Sequence, residues 1–134
     1  MLYLTKVFHF SSSHRMVSPY LSEEENFRRY GKCANPGGHG HNYRLEVTVA
    51  GPMDPRTGCV MDLELLARVV REQVIDVLDH RNINEIPHFR QVVPSMENIA
   101  HWIWQEIRGR THPARLHRIR LFETESNFVE YRGE

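Results

Sequence analysis

The first pattern in the chain is an alternation. Leu2, Leu4, Phe8 and Phe10 share one parity between Leu2 and His14, with Lys6 breaking the apolar side. A period of two predicts a half-buried β-strand. The alternation returns from Asn42 to Gly51, where Tyr43, Leu45, Val47 and Val49 face one way and Arg44, Glu46 and Thr48 the other. The period then changes. Leu63, Leu66, Val70 and Val74 recur at helical spacing behind Asp62, a good N-cap, so a helix is expected to about Leu78. Ile99, Trp102, Ile103 and Ile107 repeat the pattern behind Ser95, for a helix ending near Arg108. Two short runs, Leu116 to Glu123 and Phe128 to Tyr131, close the chain as strands around the turn Thr124-Glu125-Ser126-Asn127.

Two long connections interrupt this order. Residues 15–38 hold a short helix, with Ser22 as cap, Glu23-Glu24-Glu25 in its first turn and Gly31 as its stop. Residues 79–94 form the second connection. Loops of such length are usually functional or disordered. Strands, then helices, then strands (ββααββ) argue for an α+β fold: a four-stranded antiparallel sheet with two helices on one face. Residues 1–134 form one domain, with no repeat and no linker. The sheet has two open edges, so self-association is expected.

Composition narrows the partners. Seventeen Lys+Arg balance seventeen Asp+Glu, which leaves no electrostatic footprint for a nucleic acid and no basic run for a membrane surface. Apolar runs are broken by charge, as in Leu63-Glu64-Leu65-Leu66-Ala67-Arg68, so no membrane span is expected. The residues after Met1 lack the features of a signal peptide, and a cytoplasmic location is expected. Cys33 and Cys59 do not make a disulfide scaffold, and a reducing compartment favours free thiols. The unusual count is nine His, which directs attention to metal and acid–base chemistry.

His39-Gly40-His41 opens the second strand, and residues two apart project to the same face. His14 ends the first strand, whose antiparallel pairing would set it beside that pair. Three neutral ring nitrogens leave one tetrahedral position open, the pattern of a catalytic zinc. The plainer alternative is surface histidines. Cys33, six residues before His39, could act as a base or nucleophile near a dication, could complete the metal site as a fourth ligand, or could be a small buried hydrophobe. Cys59 is assigned no role. Asp79-His80, after the first long helix, could form a carboxylate–imidazole dyad if the backbone bends, or simply mark a helix end. Glu123 could be an inward carboxylate that accepts from a ring N–H array, against a solvated strand-end charge; Glu97 is accounted for by the helix dipole.

Taken in order, five blocks resemble the signature of the 6-pyruvoyl tetrahydropterin synthase family: Phe10 to Arg15, Gly31 to Tyr43, Leu78-Asp79-His80, Glu97-Asn98 and Leu121 to Thr124. The resemblance runs from about Tyr3 to Glu134. It implies the tunnelling fold, a barrel formed by oligomerisation, and a homohexamer built as a dimer of trimers with active sites at subunit interfaces. It implies zinc on His14, His39 and His41, Cys33 as the base beside it, and an Asp79–His80 dyad reaching the site from a neighbouring subunit. Glu123 would anchor the pterin ring and join the proton relay, with Glu97 and Ser95 also at the substrate. The implied reaction converts 7,8-dihydroneopterin triphosphate to 6-pyruvoyl tetrahydropterin with elimination of triphosphate, as in tetrahydrobiopterin formation; magnesium could accompany the triphosphate. The five residues between Cys33 and His39 match the pyruvoyl-type enzymes rather than the 6-carboxy-tetrahydropterin synthases of deazapurine synthesis. A zinc-stabilised module that binds a pterin without turnover is the alternative from another class. One departure stands out: Pro94-Ser95-Met96-Glu97 carries Met96 where relatives usually have Thr.

Overall fold

The computed structural model describes all residues, 1–134. Strand β1 (Leu2–His14) pairs antiparallel with β2 (His39–Gly51) along its whole length, from Leu2 opposite Gly51 to His14 opposite His39. Strands β3 (Arg115–Phe122) and β4 (Phe128–Tyr131) follow, in the sheet order β1-β2-β3-β4. Helix α1 (Glu23–Tyr30) lies in the first connection, and Ser22 closes it with the capping box its sequence advertises. Helix α2 (Leu63–Val70) continues through a π-turn segment (Arg71–Ile75) and a last turn (Asp76–Leu78). Helix α3 (Met96–Ile107) starts at a Ser95 cap whose hydroxyl accepts from the Asn98 N–H at 3.2 Å.

The core lies between the sheet and α2 and α3. Tyr43, Leu45 and Val47 of β2 and Ile119 and Leu121 of β3 meet Leu66, Val70 and Val74 below and Ile99, Ile103 and Ile107 beside them. Each such side chain contributes about 1.5–3 kcal/mol on burial, so this layer dominates stability. Leu63, expected to face inward, is 45% exposed in the first turn of α2. The inward row is instead Leu66, Val70, Val74 and Leu78, four residues apart at each step. In a regular α-helix that step drifts by about 40°. The wider π turn absorbs the drift and keeps the row on the core.

The other face of the sheet is polar. Arg120 holds Glu130 at 2.8 Å and Glu46 at 3.7 Å, while Arg44, Arg118 and Arg132 add further contacts to the same two carboxylates. Exposed pairs of this kind add little stability.

The connection after α2 is fastened to the free edge of β1. Asp79 accepts the Ser11 N–H at 2.9 Å, the His80 N–H donates to the Ser11 carbonyl at 2.6 Å, and the Ser13 N–H donates to the Arg81 carbonyl at 3.0 Å. Asn84 then clamps the Arg15 peptide from both sides, accepting its N–H at 2.7 Å and donating to its carbonyl at 2.9 Å. Asn84→Ala should therefore cost about 1–3 kcal/mol, the penalty for partly buried peptide groups left unpaired. Urea unfolding would measure it; an unchanged midpoint would mean that water replaces the amide at no cost.

Candidate functional site

The bulge-free β1–β2 ladder brings His14 beside His39 and His41. Their ring centroids lie 4.7 Å (His14–His39), 5.1 Å (His14–His41) and 4.9 Å (His39–His41) apart. One nitrogen from each falls within 4.8 Å of the others. The three rings sit on the helix side of the sheet at its site end, over the Tyr43 ring.

His14 is 1% exposed, and its tautomer is set by its surroundings. Its Nδ1 lies 2.7 Å from the Pro94 carbonyl oxygen, which can only accept, so Nδ1 carries the hydrogen and Nε2 presents a lone pair. Burial pushes the His14 pKa down from 6.5 to about 4, against the opposing pull of the Pro94 carbonyl. Burial also lowers His41, with the Glu123 carboxylate working the other way. Both shifts favour the neutral imidazole, the form a metal ligand takes. His14 Nε2 and His41 Nε2 are buried with no hydrogen-bond partner. Orphaned buried polar atoms are costly, and a cation bound by both nitrogens would satisfy them. The donor set thus fits a zinc ion with an open coordination position.

A cavity of about 280 Å³ opens against this cluster, and it gathers most of the expected site: His14, His39, Cys33, Ser95, Glu97 and Glu123 all line it, with Met96, Met16, Arg29 and Tyr30. Cys33 is exposed and unbridged, so it is not a buried hydrophobe, and it stands outside the converging ligand group. It arrives from a 3-10 turn (Gly31–Ala34), fixed by the Met16 N–H donating to its carbonyl at 2.7 Å. Glu123 follows the end of β3. It is half-buried rather than sealed, with carboxylate oxygens 3.6 Å from His41 Nε2 and 3.9 Å from His14 Nε2. Its peptide N–H donates to the Asn127 carbonyl at 3.1 Å, which fixes the hairpin behind it. Ser95 is committed as the α3 cap, though its own hydroxyl hydrogen remains free. Glu97 is exposed in the first turn.

Asp79 and His80 are placed elsewhere. They form a close pair, His80 Nδ1 to Asp79 Oδ2 at 3.0 Å, and the bend this requires is present: His80 has φ 57°, in the left-handed region that a non-glycine residue rarely adopts. Such strain is characteristic of functional positions. The Ser11 N–H that Asp79 accepts holds its carboxyl below the usual carboxylate range. Yet the His80 ring is largely exposed and borders a separate cavity with Ser11, Ser13, Asn42 and His41, the one member of the histidine cluster that the first cavity lacks. In one chain His80 and Cys33 line different cavities. Two contributors were invisible in sequence: the Pro94 carbonyl, which is a backbone group, and Asn84, whose role depends on a fold contact.

The model of the family described as 6-pyruvoyl tetrahydropterin synthase matches residues 3–134. The chain belongs to that family. It is similar to the 6-pyruvoyl tetrahydrobiopterin synthase of Poecilia reticulata, 48% identical across 98% of this chain and 90% of the relative. It is 44% identical to the enzyme of that name from Homo sapiens, across 93% and 87%. The solved structure of Caenorhabditis elegans 6-pyruvoyl tetrahydropterin synthase superposes with a TM-score of 0.94 at 35% identity, covering 99% of this chain and 96% of that one. The fold is the tunnelling fold of those structures.

The depressed pKa of His14 carries a sign. The unfolded chain takes up a proton near pH 6.5 that the folded protein refuses until about pH 4, so stability present above pH 6.5 is lost as pH falls through that window. For the metal-free protein the loss should be on the order of 3 kcal/mol. Chemical denaturation at pH 7 and pH 4.5 should show a steeper drop for the wild type than for His14→Asn. Equal slopes would mean that the His14 ring finds water.

Proposed function

We propose that the protein is a zinc-dependent lyase that converts 7,8-dihydroneopterin triphosphate to 6-pyruvoyl tetrahydropterin and inorganic triphosphate. One observation carries this reading beyond family membership: His14 and His39 of the histidine cluster line a single cavity with Cys33, Glu97 and Glu123. His14, His39 and His41 would hold the zinc, and a bound ion would supply Lewis-acid polarisation that acidifies the neighbouring C–H bonds of the substrate.

The chain's own groups do the rest. Glu123 accepts two hydrogen bonds from the amino-pyrimidine edge of the ring, a paired contact to a carboxylate that selects pterins. Glu97 lines the same wall, and Met96 offers a thioether where relatives usually offer a hydroxyl. Cys33, beside the cluster, removes a side-chain proton as its thiolate. Asp79 accepts from His80 Nδ1, which leaves Nε2 free to move a proton on the opposite side of the substrate.

His80 and Cys33 line different cavities of one chain, which supports a working site that takes Cys33 from one subunit and Asp79 with His80 from a neighbour. This favours a homohexamer formed through the open sheet edges. No helix is long and apolar enough to cross a membrane, and a cytoplasmic setting suits the two free thiols.

The first test is the product. Incubating the zinc-loaded protein with dihydroneopterin triphosphate should release triphosphate and give the pyruvoyl product by mass spectrometry; a carboxy product would move the chain to the deazapurine branch, and intact substrate would leave a binding module. Cys33→Ala should retain one zinc per chain while turnover falls roughly 10²–10⁴-fold, the usual range for a lost general base. Loss of zinc in that variant would make Cys33 a ligand instead. His41→Ala should lose both zinc and turnover.

A further inference from the structure

A second cavity of about 430 Å³ lies on the other flank of His14, between the segment that follows β1 and the two 3-10 turns after α2. His14 lines both cavities, so the second space adjoins the histidine cluster. The charged residues around this second space are Arg15 and Arg90, with no carboxylate in its lining. On the outer face of the sheet arginines share Glu46 and Glu130. Arg15 and Arg90 join no ion pair at all. Their two charges set the sign of the cavity.

Arg15 is fixed in place. Its Nε donates to the Ala34 carbonyl at 2.7 Å and its peptide is clamped by Asn84, which leaves the two terminal NH₂ groups for a ligand. Arg90 reaches the same space from the turn Pro87–Arg90. Gly37 and Gly38 make part of the wall from bare peptide. A Cβ at Gly38 would stand 3.0 Å from the His14 carbonyl oxygen, so side chains are excluded where the wall meets the cluster.

We propose that this cavity is an anion subsite that takes the phosphate chain of the substrate, with Arg15 and Arg90 as its cations. The assignment rests on the pterin triphosphate reading above and deepens it. Planar guanidinium groups meet phosphate oxygens through paired N–H donors. As triphosphate departs, the C–O bond breaks with its electron pair going to the phosphate oxygen, while the proton lost from the neighbouring carbon has gone to the protein base. Fixed cations at that oxygen stabilise the charge as it develops.

Inorganic tripolyphosphate and unphosphorylated dihydroneopterin, titrated separately into the zinc-loaded protein with bound zinc counted afterwards, distinguish the subsite from the pterin site. Arg90→Glu should weaken tripolyphosphate about ten-fold or more and raise KM for the triphosphate substrate, with dihydroneopterin affinity unchanged and Arg90→Lys in between. Wild-type tripolyphosphate affinity in both Arg90→Glu and Arg15→Lys would overturn the subsite even if dihydroneopterin binds and turnover is normal. Tripolyphosphate binding that depends on Arg90, with no dihydroneopterin binding, would uphold the subsite and remove the pterin reading.

Discussion

The site depends on the register of β1 against β2. Their ladder runs from Leu2 opposite Gly51 to His14 opposite His39 without a bulge, and the period-two alternation carries the core-facing parity unbroken from Phe8 and Phe10 to His14. A slip of one residue would turn His14 to the polar face and Phe10 with it. The hydrophobic cost of exposing Phe10 and the apolar residues of its parity is thus what keeps a buried imidazole beside its two partners. Packing sets the geometry; the metal ligands inherit it.

That inheritance has an electrostatic side. Burial makes His14 neutral, the Pro94 carbonyl fixes which nitrogen is bare, and the half-buried Glu123 carboxylate is the anionic group closest to the cluster. The connection from Asp79 to Pro94 supplies several of these constraints together: the dyad, the clamp on Arg15 and the carbonyl on His14. A stretch that looks like a loop in sequence is, in the fold, the frame around the histidines.

Most of the architecture was legible because its signals are periodic or chemical. The alternation of Tyr43, Leu45, Val47 and Val49, the caps Ser22, Asp62 and Ser95, and the turn before Phe128 each act through local physics, and each appears as expected. The histidine cluster was legible because strand geometry converts spacing into proximity. Leu63 was misjudged because helical spacing shows which way a side chain points, not whether anything packs over the first turn at the helix end. The Asp79–His80 bend could be stated only as a condition, since a left-handed φ at a non-glycine residue has no sequence signature. The separation of that dyad from Cys33 required coordinates.

The fastening of residues 79–84 along β1 bears on assembly. An exposed edge strand offers alternate residues to a newcomer, here Tyr3, Thr5, Val7 and His9, and then Ser11, Ser13 and Arg15. The last three are already taken by the chain's own backbone and by Asn84. A strand added at this edge must therefore stop short of Ser11, as if a bookend stood there. Whatever docks along β1 ends its ladder beside the histidines and turns away at their rim, so the boundary between two copies would be drawn at the mouth of the site.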